Sequence, residues 1–144
     1  MLVNIINKSS NRIPKYATSG ASGMDLMANL TEDMVIQSME RVLIPTGIYI
    51  EIPEGFEAQI RSRSGLTLNQ GLIVANSPGT IDSDFRGEIK VILANISSNP
   101  VTVQHGNRVA QMVICPYEKV QFQEVNELSS TIRAQDGFGS TGIK

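Results

Sequence analysis

The chain is poor in the residues that build disulfide frameworks and metal clusters. Its 144 residues include one cysteine, one histidine and no tryptophan. The cysteine has no second thiol in the chain with which to form a disulfide. It lies in the apolar run Met112-Val113-Ile114-Cys115, and we interpret it as a buried, inert thiol of a protein that works in a reducing compartment.

Positive charge and long apolar segments are scarce as well. The formal net charge is −2, whereas a nucleic-acid-binding surface normally requires an excess of basic residues. No apolar run approaches the length needed to cross a membrane, and residues 1–8 lack the charged and apolar regions of a signal peptide. We therefore expect a soluble, cytoplasmic protein with neither a nucleic-acid partner nor a membrane partner.

Apolar residues recur with a period of two, which is typical of β-strands. Glycine and proline separate the short alternating runs. The chain is long enough for one domain with a core of its own. We predict an all-β sandwich, jelly roll or small barrel. The alternating apolar residues are Ile48, Ile50, Ile52, Phe56, Ala58, Ile60, Val101, Val103, Val120 and Phe122.

One segment departs from this pattern and predicts a single short helix. The helix begins near Ser64 and ends at Gly71, a residue suited to a helix C-terminus. Arg63 and Ser64 then lie at the helix N-terminus, where backbone N–H groups and the helix dipole favour a phosphate. The alternative is that Ser64 is an ordinary helix cap.

The last residues combine glycine with groups that bind nucleotides. Arg133 is followed by the glycine-rich segment 137–142, which also carries an aromatic ring and two hydroxyl groups. Such a tail fits a lid that orders over a base and a polyphosphate, although most glycine-rich tails are flexible ends. We predict a body over residues 1–125, followed by a linker and lid over residues 126–144 within the same domain.

Five of the seven arginines lie in or beside segments rich in glycine, serine and aspartate. This placement suits the collection of guanidinium groups around an anion. The alternative, which we favour for Arg61 and Arg108, is that they form ion pairs. The five are Arg61, Arg63, Arg86, Arg108 and Arg133.

Five short segments, taken in order, resemble the five motifs of the trimeric dUTPase family. They are Ala21-Ser22-Gly23-Met24-Asp25-Leu26, Arg63-Ser64-Gly65-Leu66, the run from Gly79 to Gly87, Gly106-Asn107-Arg108-Val109-Ala110-Gln111, and the glycine-rich tail. The resemblance covers nearly the whole chain. It implies a homotrimer of distorted jelly-roll or β-clip barrels with one short helix and a flexible C-terminal lid. It also implies Mg²⁺-assisted hydrolysis of dUTP to dUMP and pyrophosphate, which keeps uracil out of DNA and supplies dUMP for dTMP synthesis.

The resemblance also implies residue roles. Asp82, in a β-hairpin that grips the nucleoside, holds the water that attacks the α-phosphate, and Asp25 reaches Mg²⁺ through water. The nucleoside is bound by Asn76, Gly79, Thr80, Ile81, Phe85 and Lys90. The phosphates are bound by Arg63, Ser64, Gly65 and Gln111. The tail contributes Arg133, Gly139, Ser140 and Thr141 at the distal phosphates and Phe138 over the base.

Several positions depart from the family pattern. Phe85 stands where tyrosine is usual, so its ring can still pack on the deoxyribose but lacks the phenolic hydrogen bond. Asn107 replaces a common acidic residue, and Ala134 and Asp136 occupy positions often held by glycine. Asp84 is interpreted as a turn or ion-pair residue, with a second metal ligand as the alternative.

Two other functions have different residue requirements. A dCTP deaminase would need a glutamate at the position of Ile92, which cannot transfer a proton. A non-catalytic dUTPase-like binding protein would not need Asp82 or the complete lid.

Overall fold

The computed structural model describes residues 1–137, which form ten β-strands and one α-helix. Each strand is short except the fourth and the last, in keeping with the frequent turns. The strands are β1 Asn4–Asn7, β2 Met24–Met27, β3 Met34–Ile36, β4 Arg41–Glu51, β5 Phe56–Arg61, β6 Leu72–Val74, β7 Gly79–Ile81, β8 Ile89–Asn95, β9 Val101–Val103 and β10 Arg108–Pro116, and the helix is α1 Ser64–Gln70.

The strands form three antiparallel sheets. One four-stranded sheet has the order β1-β4-β8-β6, and the other has the order β2-β10-β5-β7. A two-stranded sheet joins β3 to β9. Over the described residues the hydrogen-bonded ladders do not close into a single barrel. The architecture is the all-β jelly-roll type predicted from the sequence, with one short helix.

The core follows directly from the alternating pattern. In β8 the side chains of Ile89, Val91 and Leu93 are buried, while Lys90 and Ile92 between them are exposed. These residues belong to one apolar cluster that takes side chains from both four-stranded sheets. Full burial of such a side chain stabilises the fold by about 1.5–3 kcal/mol. The fold is therefore held mainly by the inward faces of the two sheets.

An irregularity in β4 fixes the start of β8. The pairing of β4 with β8 shifts register between Pro45 and Ile48. The buried Thr46 hydroxyl donates to the Ile89 carbonyl oxygen over 2.6 Å. The Gly47 N–H, in a residue with φ of 71°, donates to the Glu88 carboxylate over 2.8 Å. These contacts hold the end of the loop that carries Asp82.

Two sequence-based expectations about local structure were wrong. Val120 and Phe122 alternate as in a strand, but both are exposed and residues 117–137 contain no strand or helix. Cys115 is half-buried rather than buried, and its Sγ lies 3.8 Å from Nη2 of Arg61. In each case the apolar pattern shows which side chains a strand could bury, but it does not show whether another part of the chain covers them.

The one helix within residues 1–137 is not long and apolar enough to span a membrane.

Asn95 is the polar residue on which the core most depends. It is fully buried, and its Nδ2 donates to the carbonyl oxygens of Ile36 and Asn99, at 3.0 and 2.8 Å. Its Oδ1 accepts from the backbone N–H and the hydroxyl of Ser97, at 2.9 and 2.7 Å. One side chain thus ties β3 to the turn that follows β8.

We predict that Asn95→Ala lowers the free energy of unfolding by about 2–4 kcal/mol, because it removes four hydrogen bonds and takes the Asn95 donor away from the buried Ile36 carbonyl oxygen. Urea unfolding at a fixed protein concentration measures this change. Asn69→Ala is the matched control, since Asn69 is exposed in α1 and its replacement should be nearly neutral. Equal effects of the two substitutions would contradict the assigned role of Asn95.

Candidate functional site

The first part of the site is the turn after β7. The Phe85 N–H donates to the Asp82 carbonyl oxygen over 3.2 Å, which closes the turn. The Arg86 guanidinium braces it by donating to the carbonyl oxygens of Ser83 and Phe85, at 2.7 and 3.0 Å. The same guanidinium lies 3.3 Å from Glu51 in β4. The Asp82 side chain therefore extends from a turn whose backbone is held in place.

Asp82 opens into a cleft of about 760 Å³. Four carboxylates and two cations line it, so the cleft carries a negative charge. The Lys119 ammonium lies 2.9 Å from Glu54, and the hydrogen bond and the charge of Lys119 lower the pKa of Glu54. The lining residues are Ile52, Glu54, Glu57, Asp82, Ser83, Asp84, Arg86, Tyr117 and Lys119.

The predicted nucleoside contacts surround this turn. Gly79, Thr80 and Ile81 form β7, in which Gly79 is buried and Thr80 is exposed. Asn76 lies beside Gly79, since its Nδ2 would be 3.1 Å from a β-carbon at that glycine. One continuous segment of the chain therefore carries Asp82, Phe85 and the residues that are predicted to bind the base.

The hairpin implied by the resemblance has a more complex form than two consecutive strands. Its paired arms are β6 and β8, while β7 lies in their connection and pairs with β5 in the other sheet. Asp84 follows β7 in the turn, so strand alternation does not place it on the same face as Asp82. Lys90 is exposed on β8, with Nζ 3.6 Å from Glu88, and does not line the Asp82 cleft.

The second part of the site is a cluster of two arginines around one carboxylate. Arg63 Nε lies 2.8 Å from Oδ1 of Asp25, and Arg108 Nη1 lies 3.2 Å from Oδ2. Arg63 Nη1 also donates to the Arg108 carbonyl oxygen over 3.2 Å. Asp25 thus holds one guanidinium on each oxygen. Arg108 forms the ion pair that was expected of it.

The backbone around Arg63 explains why the cluster is where it is. Arg63 is the N-cap of α1 and has extended backbone, and no side chain caps this end, so Ser64 is not a helix cap. The helix ends at Gly71, with φ of 68°, as predicted. Gln111 Nε2 donates to the Ser62 carbonyl oxygen over 2.9 Å. Gln111 therefore lies beside the residues that lead into α1, whose first two residues are Ser64 and Gly65.

The arginine cluster borders its own cleft of about 380 Å³. This cleft is positively charged and shares no lining residue with the Asp82 cleft. Asn107, where an acidic residue is common in the family, accepts from the Gln104 N–H over 2.9 Å and holds a turn. The lining residues are Arg63, Leu66, Gln70, Leu72, Val103, Gly106, Asn107, Arg108 and Val109.

Strand β5 separates the two clefts within one chain. Ala58 of β5 pairs with Ile81 of β7, so Asp82 follows beside Glu57 at the beginning of the strand. Arg63 lies beyond the other end. Six residues at about 3.3 Å each place Asp82 and Arg63 about 20 Å apart along the strand. The Asp82 cleft and the arginine cleft therefore lie at opposite ends of β5 and are separate within one chain.

The described residues provide no metal site made of protein ligands alone. Within residues 1–137, no three His, Cys, Asp or Glu side chains lie close enough together to hold a metal ion. Asp25 remains about one-quarter exposed, and a carboxylate has about four lone-pair sites, of which the arginines use two. The donor set fits a Mg²⁺ ion carried by phosphates and contacted by Asp25 through water.

The tail is described only in part. Arg133 is exposed, and its Nε donates to the Asp136 carbonyl oxygen over 3.0 Å. Ala134 has φ of 46°, in the left-handed region that favours glycine. The lid residues Phe138, Gly139, Ser140 and Thr141 lie outside the described residues.

Sequence reasoning did not include Arg86 or Arg108 among the site residues. Both lie in the segments that resemble the family motifs and in the loop-associated arginine group, and Arg108 was expected to form an ion pair, but neither was given a role in the site. Their roles depend on contacts with residues distant in the chain, Glu51 and Asp25, so spacing within the sequence could not have assigned them.

The chain is similar to known proteins over nearly its whole length. A family model described as dUTPase matches residues 9–142. The deoxyuridine 5′-triphosphate nucleotidohydrolase of Cytophaga hutchinsonii is 56% identical over 140 residues, which cover 97% of this chain and 91% of the relative. The enzyme of the same name from Hydrogenobaculum sp. is 60% identical over 132 residues, with 92% and 91% coverage.

Solved structures show the same fold. The dUTPase of Staphylococcus bacteriophage 80alpha, solved with dUpNHpp, has a TM-score of 0.88 at 24% identity and covers 99% of each chain. A dUTPase variant from phage phi11 of S. aureus, described with a structural Mg(II) ion, has a TM-score of 0.80 at 21% identity, with 90% and 100% coverage. From the family match and the curated relatives, we conclude that the chain belongs to the dUTPase family of hydrolases, which convert dUTP to dUMP.

Proposed function

We propose that the chain hydrolyses dUTP at a composite site, formed where the Asp82 cleft of one copy meets the arginine cluster of another. The separation of the two clefts by β5 is the observation that carries this proposal. A closed symmetric assembly brings two such surfaces together once per subunit, and the homotrimer implied by the sequence resemblance does so three times. Free monomers are expected to be inactive.

Asp82 acts as the base in this proposal. Its carboxylate accepts a hydrogen bond from the attacking water and takes up the proton as the water attacks the α-phosphorus. The bond from the α-phosphorus to the bridging oxygen breaks, and pyrophosphate leaves. A carboxylate in this role contributes about 10²–10⁴-fold to the rate. The exposure of Asp82 and its position on a braced turn support the assignment.

Substrate selection belongs to the loop that carries Asp82. Asn76 and the backbone of β7 meet the uracil edge, and Phe85 packs on the deoxyribose. Cytosine would leave hydrogen-bonding partners fixed for uracil unpaired or opposed, which penalises the wrong base. Lys90 contributes through its backbone, because its side chain does not line the cleft.

Phosphate binding belongs to the arginine cluster. Arg63, Ser64, Gly65 and Gln111 meet the triphosphate, and Arg108 adds charge beside them. Their positive cleft complements the negative Asp82 cleft and the charge that develops on the leaving group. Mg²⁺, when bound, neutralises negative charge on the phosphate oxygens.

The tail completes the proposed site. Arg133, Ser140 and Thr141, with Gly139 between the ring and the hydroxyl groups, hold the distal phosphates, and Phe138 stacks on the base. Closure of such a segment excludes water from the reacting groups. A cytoplasmic location stays a prediction from the sequence.

We predict that Asp82→Asn lowers kcat for dUTP by about 10²–10⁴-fold, because the amide cannot accept the proton of the attacking water. Pyrophosphate release measures kcat, and calorimetry with a non-hydrolysable dUTP analogue measures binding, which should be retained. Asp84→Asn is the matched control from the same turn and should keep most of the rate. A larger loss with Asp84→Asn than with Asp82→Asn would show that Asp82 is not the base and that the role belongs to Asp84.

We predict that Asp25→Asn lowers kcat/KM by about 10–10²-fold, because the two guanidinium groups lose the carboxylate that orients them. Asp33→Asn is the control, since Asp33 is exposed and bonded to Gln104 rather than to an arginine. Steady-state kinetics over a range of Mg²⁺ concentrations separates two roles. A loss that excess Mg²⁺ does not restore supports the arginine contact, and full restoration would show that Asp25 acts only through the metal ion.

A further inference from the structure

The aromatic ring of Phe85 lies directly against the backbone of Gly87. A β-carbon built on Gly87 would be 2.8 Å from Cε2 and 3.2 Å from Cε1 of the ring, and closer still to Cζ. Carbon atoms in favourable contact are about 3.5–4.0 Å apart. The ring therefore occupies the space that any other residue at position 87 would need for its side chain.

The backbone that carries the ring is held separately. The hydrogen bond from the Phe85 N–H to the Asp82 carbonyl oxygen closes the turn, and the Arg86 guanidinium braces it. A methyl group at position 87 would leave these contacts in place. The ring itself is 42% exposed and has room to swing towards solvent. Alanine at position 87 should thus move the ring without unfolding the turn.

We propose that Gly87 is a specificity-determining positioning residue. Because it has no side chain, it lets the Phe85 ring lie against its backbone, in the position where the ring excludes a 2′-hydroxyl group on the sugar. The inference rests on the proposed function in two respects, namely that Phe85 packs on the deoxyribose and that Asn76 and β7 meet the uracil edge. Gly87 does not touch the substrate and acts only through the ring. It explains why a small residue follows the Phe85-Arg86 pair.

The base is selected by a different part of the loop. Asn76 and β7 precede Asp82, whereas Phe85 and Gly87 follow it. A shift of the ring should therefore alter discrimination between dUTP and UTP while leaving discrimination between dUTP and dCTP unchanged. A general disturbance of the loop would weaken both, so the two ratios separate ring positioning from a merely structural effect.

The test compares kcat/KM for dUTP, UTP and dCTP in Gly87→Ala, Phe85→Ala and the double variant. We expect the dUTP-to-UTP ratio to fall about tenfold in Gly87→Ala, a part of the roughly 10²-fold that apolar pockets achieve against an added hydroxyl group. In the Phe85→Ala background, Gly87→Ala should add nothing, because the ring through which Gly87 acts is gone.

Gly20→Ala is the matched control. A β-carbon at Gly20 would meet nothing within 4 Å, so neither ratio should change. Melting temperatures of all variants establish that each one is folded.

Three results would overturn the inference, and they differ in whether they also contradict the proposed function. If Phe85→Ala lowers the dUTP-to-UTP ratio but Gly87→Ala does not, Gly87 does not position the ring, and the proposed function is untouched. If Gly87→Ala lowers both ratios equally, its effect is structural. If Phe85→Ala itself leaves the dUTP-to-UTP ratio unchanged, the sugar contact assigned to Phe85 fails, and the role of Gly87 fails with it.

Discussion

The pairing of β5 with β7 and β10 is the constraint on which the functional arrangement depends. This strand fixes Asp82 beside its first residues and Arg63 beyond its last, and Gln111 of β10 pairs with Arg61 near that end. Because a β-strand is nearly inextensible, the distance between the two clefts cannot be closed by a small motion of either loop. The core holds β5 in place, through the buried side chains of Ala58 and Ile60.

The charges of the two clefts follow from this separation. If Asp82 and its neighbouring carboxylates lay beside Arg63 and Arg108, they would form internal ion pairs and compete with the substrate. Instead, within residues 1–137, Asp25 is the one carboxylate that pairs with Arg63 and Arg108, with one oxygen on each. One carboxylate orients two guanidinium groups but neutralises only one positive charge, so the cluster keeps a net charge for an anion. The separation of the acidic Asp82 cleft from the basic arginine cluster thus suits the two surfaces to different parts of a nucleotide.

The sequence alone predicted the features that depend on local pattern. Alternation at Ile48, Ile50 and Ile52 indicated strands because it records which side chains the core buries, and Gly71 marked the end of the helix through its left-handed backbone. Contacts between distant segments were not predictable in this way. The contact between Arg63 and Asp25 joins residues 38 positions apart, and it follows from strand register rather than from spacing. For the same reason, the exposure of Phe122 was missed.

The composite site is tested most directly by mixing two defective variants, Asp82→Asn and Arg63→Ala. Each alone should hydrolyse dUTP poorly. After co-refolding in equal amounts, a site that draws Asp82 from one chain and Arg63 from another is intact in about one case in four. We therefore predict recovery of about a quarter of the wild-type rate of pyrophosphate release. If both residues act within one chain, no chain in the mixture is intact, and a rate no higher than that of the separate variants would contradict the account.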